Sequence, residues 1–441
     1  MKEQIINLLK ERLYNSFTQA LIKLTLPSYI VIKILLAVSS LGLCALASYL
    51  VVQSIFEYLS FGVSTTSRTI YETPTLFPKV TFCNFNSLTT QYAYNLTQTI
   101  GQYDNLIGAN LPDDEKKKLG HDLSDILIDC QFDLSECNLN DFKWSYDPWF
   151  GNCYTFNTNS DFYSKRSNIA GYKFGLHLTL YVNLYEKLKN EYLLTYPPIG
   201  FGAIVRIGNN SFSTLSDTNG LFASPGYNTF ISVDREFKSM LPKPYSECEL
   251  DPNSSYLYDL IAESKYVFSQ EFCLIQCMQK NIIHKYDCSF PLFPSIFNSS
   301  WCNSTVIYAI LSPSNNSFDS DFINKVCLPL CPLECSHTLY KLSLSSNQLN
   351  GNSYIIKIQN NSKLASDFIT KDIDAETAGK SIAQLTIYYD SLSYTESIES
   401  PQMNIVSLIG SIGGNLGLFL GVSVFSLWEI IEVVIEIFLI Y

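Results

Sequence analysis

From Gly410 to Gly421 the chain reads GSIGGNLGLFLG, with glycines at 410, 413, 414, 417 and 421. No charged residue stands between Pro401 and Trp428. In water a mid-helix glycine costs ~1 kcal/mol relative to alanine. In a bilayer, small residues let helices approach closely, or let the backbone leave helical geometry where it is buried or lines water. The tract therefore has two readings: close helix packing, or a wall of exposed carbonyls around Gly421, Val422 and Ser423. Carbonyls and a hydroxyl can replace part of a cation's hydration shell.

Glu429, Glu432 and Glu436 follow at i, i+3 and i+7, within ~60° of one another on a helix. A carboxylate at mid-bilayer costs ~2.5–3.5 kcal/mol on insertion scales, so this stripe faces water or the interface. It either marks a cytosolic boundary or, repeated in several subunits, forms acidic rings that favour cations. Two spans from one chain cannot enclose a pore, so a pore requires copies arranged about an axis.

These residues need a membrane frame, and the hydropathy supplies one. The chain has 441 residues, a formal charge of −12, 47% apolar and only 16% charged residues. That composition excludes a disordered chain, and the lack of a basic tract excludes a nucleic-acid partner. Residues 34–56 carry no charge, enough to cross ~30 Å of hydrocarbon. The ~33 residues ahead of this run exceed a signal peptide's n-region, although Ala45-Leu46-Ala47 resembles a cleavage site. Residues 1–33 carry a net charge of +3, and positive flanks stay inside. The expectation is a cytosolic segment 1–33, a span 34–56, an extracellular domain 57–400, a second span 401–438 bearing the pore, and a cytosolic end 439–441. The expected protein is a multi-pass one of the plasma membrane with both termini in the cytosol.

Seven Asn-x-Ser/Thr sequons, at Asn95, Asn209, Asn253, Asn298, Asn303, Asn315 and Asn360, lie between the spans, as in a glycosylated lumenal domain. So do 12 of the 13 cysteines, an even set suited to six disulfides. Alternating runs predict strands over 79–83, 175–180, 202–207, 229–233 and 383–389. Helical patterns cover 113–126 and 269–284. Cys273-x₃-Cys277 and Cys327-x₃-Cys331 each place two sulfurs on one helix face. Two such helices packed antiparallel would pair Cys273 with Cys331 and Cys277 with Cys327; the rival is a Cys₄ zinc site. The whole reads as one disulfide-stapled α+β ectodomain.

The chain resembles the degenerin/epithelial sodium channel/acid-sensing channel superfamily along nearly its whole length. The resemblance rests on Phe77-Pro78-x-Val80-Thr81-x-Cys83-Asn84, on Gly151-Asn152-Cys153-Tyr154-Thr155-Phe156-Asn157 and on Pro225-Gly226-Tyr227-Asn228-Thr229-Phe230. Leu241-Pro242-Lys243-Pro244-Tyr245, the C-x₃-C-x₃-C of Cys327, Cys331 and Cys335, and the glycine-rich tract complete it. It implies a trimer, homomeric or built with related subunits. Each subunit would carry two membrane helices and an ectodomain of finger, thumb, knuckle, palm and β-ball parts. The function implied is a sodium-selective or non-selective cation channel, gated through the ectodomain and blocked by amiloride.

Residue by residue, the resemblance makes Gly421, Val422 and Ser423 the selectivity filter. It puts the position linked to constitutive opening at Gly410, with Ser411 and Gly414 beside it. Gly417 becomes the amiloride contact, Glu429 and Glu432 the pore acids, and Tyr245 the coupling residue at the wrist. It pairs Cys83 with Cys153, Cys130 with Cys137, Cys248 with Cys335, Cys273 with Cys331, Cys277 with Cys327, and Cys288 with Cys302. The chain departs from the family at Thr18-Gln19, where a His-Gly motif belongs. It departs again at Ser411, often an acid, at Val422, and at Tyr286, where a cysteine has been lost.

Sodium ions, the bilayer and an extracellular ligand are the partners this implies, with no cofactor and no metal. Two other readings stand beside it: an ATP-gated two-span trimer, and a non-conducting surface glycoprotein or auxiliary subunit. The first lacks a basic phosphate-binding cluster. An enzyme is not expected: there is no nucleophile elbow, no P-loop and no histidine metal motif. His121, His177, His284 and His337 are scattered.

Overall fold

The computed structural model describes residues 30–100, 111–147, 150–158, 164–182, 201–208, 220–250, 256–264, 268–312, 320–360, 364 and 374–421, together with 423, 428, 431, 432 and 435. Within them the chain forms two compact units. One comprises Met1–Thr66, Lys243–Ser246 and Glu399–Tyr441; the other comprises Ser67–Pro242 and Glu247–Ile398.

The first unit contains two apolar helices. Ile30–Leu59 is 30 residues long, apolar enough to cross a membrane and only 6% buried over its most apolar window. Ile405–Leu420 has 16 residues, ~24 Å at 1.5 Å per residue. Asn404 starts it by accepting the Ser407 N–H at 2.7 Å, a side-chain cap. The two helices pack together, with Ala47 and Ser54 buried on the first and Leu408 on the second. Small residues at such a contact let backbones approach.

The second unit is built on sheets. In the larger one Ser336–Gln348 lies at the edge, followed by Tyr227–Ser239, Ile382–Pro401, Leu176–Tyr181, Leu127–Phe132 and Ser135–Glu136; Val63–Tyr71 adds to Ile382–Pro401. The five-stranded sheet runs Leu221–Ala223, Ala203–Gly208, Lys79–Asn84, Gly151–Phe156, Phe142–Asp147. Their apolar faces share one core that includes Phe77, Phe82, Phe156, Leu178, Ile231, Leu385 and Ile387. The alternation expected over 229–233 and 383–389 thus belongs to much longer strands. Their outer halves read as polar because one face is exposed.

The helix Gln270–Tyr286 opens with the Ser269 side chain accepting the Phe272 N–H at 3.1 Å and closes at left-handed Asp287. It carries Cys273 and Cys277, which bond to Cys331 and Cys327. The other four disulfides are Cys83–Cys153, Cys130–Cys137, Cys248–Cys335 and Cys288–Cys302. All twelve cysteines outside the first apolar helix are therefore in disulfides, which leaves none of them to hold zinc. Cys44 is free and exposed on the first apolar helix.

The helix expected over 113–126 is instead two short ones, Asp113–Lys117 and Leu123–Ile126. The segment between them is claimed by tertiary bonds. Asn152 donates to the Lys117 carbonyl at 2.7 Å, and Tyr154 Oη donates to that of His121 at 2.9 Å. A Cβ on Gly120 would stand 3.1 Å from the Ser87 carbonyl. Helical pairing loses to buried side-chain donors that would otherwise go unsatisfied. Of the sequons, Asn95, Asn298, Asn303 and Asn360 are exposed; Asn209, Asn253 and Asn315 lie outside the described residues.

Candidate functional site

The helix Ile405–Leu420 presents two faces. Leu408, Ser411, Ile412, Asn415, Leu416, Phe419 and Leu420 form a buried or half-buried stripe at i, i+3, i+4 spacing, the signature of a helix seated on a neighbour. All five glycines fall on the other side: Gly410, Gly413, Gly414 and Gly417 are exposed, as is Gly421. A Cβ added at 410, 413, 414 or 421 would meet nothing within 4 Å. Within one chain, then, no close neighbour requires glycine at 410, 413 or 414.

The helix stops at the start of the predicted filter. Gly421 takes φ +67 and ψ 18, and its N–H bonds back to the Gly417 carbonyl at 3.0 Å. This left-handed closure suits glycine because it lacks a Cβ. The backbone has left helical geometry where the sequence allowed it to. Ser423 is exposed, and Trp428, Ile431, Glu432 and Ile435 are helical again, Glu432 half-buried. Val422, Glu429 and Glu436 lie outside the described residues.

Tyr245 also sits in the unit of the two apolar helices. Its ring meets Phe61 edge-on at 5.6 Å between centroids, and Phe61 stands 6.4 Å from Tyr58 on the end turn of the first helix. In the same unit Gln402 donates its N–H to the Gly62 carbonyl at 2.9 Å. The end of the first helix, the turn 243–246 and the residues leading into the second helix are thereby tied together. Phe61 and Gln402 escaped the sequence reading, because nothing in local periodicity marks a partner so distant along the chain.

A second missed group is Arg235, 6% exposed in the middle of the larger sheet. Glu72 Oε2 accepts from its Nη2 at 2.7 Å, and the guanidinium lies 5.2, 5.4 and 5.8 Å from the rings of Tyr389, Tyr394 and Phe237. Burial pushes the neighbouring Tyr340 hydroxyl up to about 12, with Arg235 pulling the other way. Burial also raises Tyr389, whose hydroxyl donates to the Leu76 carbonyl at 2.8 Å. At neutral pH these are uncharged phenols around a cation. Tyr340 lies across from Arg235 on Ser336–Gln348. On the opposite face of the sheet, hydrogen bonds from Lys341 and Ser397 hold the Glu236 carboxyl below its ordinary value. Among the described residues no group of histidine, cysteine or acidic side chains could hold a metal ion.

The family of amiloride-sensitive sodium channels matches residues 14–433. The chain belongs to that family, within the degenerin/epithelial sodium channel superfamily. It is 27% identical to the beta subunit of the epithelial sodium channel of Xenopus laevis, over 75% of this chain and 50% of that protein. It is 29% identical to degenerin del-1 of Caenorhabditis elegans, over 70% of this chain and 44% of the degenerin. The alpha subunit from Cavia porcellus is 26% identical over 72% of this chain and 45% of its own length. The chain thus spans about half the length of the curated relatives it matches. This is a family of ion channels, not of enzymes.

Proposed function

We propose that the chain is one subunit of a trimeric plasma-membrane cation channel that prefers sodium, is blocked by amiloride and is gated through the ectodomain. Both apolar segments cross the bilayer, with the termini in the cytosol. The observation that carries this reading is the shared exposed face of five glycines ending in a left-handed break at Gly421. One chain gives that face nothing to do. Three copies about an axis give it two tasks: close approach where the passage is shut, and backbone carbonyls towards ions at 421–423. Gly417 lies one turn above the break, where a blocker entering from outside would lodge. Related subunits are the natural co-assembling partners, since several of the relatives are named as subunits.

Whole-cell recording of the chain alone, with surface labelling as control, tests the proposal. Amiloride-blocked sodium current at the surface supports it. Surface protein with no current, alone or with related subunits, favours the receptor-like glycoprotein instead.

Glu429 is assigned to the inner mouth. One carboxylate ~5 Å from an ion in water contributes ~0.8 kcal/mol. Glu429→Gln is therefore expected to lower sodium conductance about fourfold, more at low ionic strength. Single-channel conductance unchanged at two salt concentrations would remove Glu429 from this role.

Tyr245 is assigned to coupling. An edge-on aromatic pair contributes ~0.5–1.5 kcal/mol beyond its area. Tyr245→Phe should conduct like the parent. Tyr245→Ala should shift the resting current per surface subunit about threefold to tenfold. Phe61→Ala should add little on top of it, because both changes remove one contact. Additive effects of the two alanines would separate the residues.

A further inference from the structure

Three strands that lead to the apolar helices converge on one buried cation. Val63–Tyr71 follows the first apolar helix and ends one residue before Glu72. Tyr227–Ser239 carries Arg235 and leads on to the turn of Tyr245. Ile382–Pro401 carries Tyr389 and Tyr394 and ends four residues before Ile405.

The last of these strands has slack in it. Val233 pairs with Tyr389 and Arg235 with Tyr394, so the single residue Asp234 stands opposite the four residues 390–393. A bulge of three extra residues is larger than the usual single insertion. It is closed at both ends by the same side chain, since Tyr389 and Tyr394 are the residues flanking it and both rings face the Arg235 guanidinium. The bulge is also held from the side: the Glu72 N–H donates to the Leu392 carbonyl at 3.0 Å, while the Glu72 carboxylate pairs with Arg235. Beside the cage lies a cavity of about 430 Å³ lined in part by Phe237, Tyr394, Glu396 and Ile398. None of residues 390–393 lines that cleft, and Leu392 packs on the shared core. The bulge is thus held by the packing of Leu392, by the Glu72 N–H, and at both of its flanks by rings on a charge.

The guanidinium has few alternatives. Its Nε is buried with no hydrogen-bond partner among the described residues, and Nη2 reaches Thr75 Oγ1 only at 3.5 Å. A buried arginine is stabilised by its counter-charge and by ring faces. Glu72 and the tyrosines are therefore what keep it in place, and it in turn keeps them.

We propose that Arg235 is a positioning residue, a charged latch that clamps the 390–393 bulge of the strand feeding the second apolar helix to the corner that follows the strand from the first. The claim goes beyond the channel reading and needs no current for its test.

Hydrogen exchange of the purified full chain in detergent micelles reads the latch directly. Arg235→Met keeps the volume and loses the charge; it should raise exchange over residues 390–394 at least tenfold. Arg235→Lys keeps a cation for the rings and for Glu72, and should stay within threefold of the parent. Exchange over Gln270–Tyr286, stapled by two disulfides, should be unchanged in both and reports folding. If Arg235→Met fails to fold, Glu72→Gln, at a half-exposed position, removes only the counter-charge and should raise exchange over 390–394 at least threefold. Methionine protecting the bulge as well as lysine would show that volume rather than charge holds it, and would overturn the proposal. Unchanged exchange over 390–394 in a folded Glu72→Gln chain would do the same. Absence of current in the recordings above would count against the channel and leave this result standing.

Discussion

Gly410→Phe is expected to raise the resting sodium current by about fivefold to a hundredfold while surface protein stays at the parent level. The reasoning begins with what the substitution does not do. Gly410 lies on the exposed face of its helix, and an added Cβ meets nothing within 4 Å. Inside one chain the phenylalanine has room, and phenylalanine is at home in lipid. A lone subunit should therefore be indifferent to it. Helices from neighbouring copies that touch through their glycine faces would not be. Forcing a large side chain into a packed contact costs ~1–3 kcal/mol, and each ~1.4 kcal/mol shifts an equilibrium tenfold. If the closed state is the one that brings glycine faces together, that cost falls on the closed state and the open population rises. Current per surface subunit, recorded with and without amiloride, measures it. An unaltered current at full surface density would mean that no neighbour approaches Gly410.

How much of this could be read before the structure depends on the range of the physics involved. The nested pairs Cys273–Cys331 and Cys277–Cys327 are the ones that i, i+4 spacing suggested, although only the first two cysteines share a helix: Cys327 ends a π-helical turn and Cys331 lies just past the short helix Leu328–Leu330. The capped start of the Gln270–Tyr286 helix is a short-range hydrogen bond at Ser269, visible in the sequence to within a residue. The glycine tract announced a possible break, and the turn at Gly421 follows from glycine's own torsional freedom.

What escaped was long-range. The carbonyls of Lys117 and His121 are drawn out of a helix by Asn152 and Tyr154, which no local pattern could foretell. Arg235 in an alternating strand reads as an ordinary outward-facing charge. Only the shifted register opposite 390–393, and a carboxylate arriving from the first strand's end, make a buried arginine tolerable there. The Phe61–Tyr245 contact is likewise tertiary. Family resemblance supplied roles for Gly410, Gly417 and Glu429 that residue chemistry alone would have left as packing glycines and a boundary acid.

Gly421→Val should abolish most of the sodium current, by tenfold or more, with surface protein retained. Gly421 is left-handed at φ +67. An L-residue there costs ~1–2 kcal/mol, and a β-branched one lies at the upper end or beyond. The alternative is for 421 to become helical, and exchanging glycine for valine makes that easier by only ~0.3–0.5 kcal/mol, valine being a weak helix former. The two effects add, so the break is disfavoured by ~1.5–2.5 kcal/mol, a shift of tenfold or more towards the continuous helix. In the proposed channel a continuous helix would turn the carbonyls of 421–423 into its own hydrogen bonds and withdraw them from ions. Bulk is not the cause, because a Cβ at 421 meets nothing within 4 Å in the chain. Asparagine tolerates the left-handed region better than valine. Gly421→Asn should therefore keep several-fold more current than Gly421→Val despite a similar size. Equal loss in both would point to crowding between copies, whereas native current in Gly421→Val would mean that ions pass without help from this backbone turn.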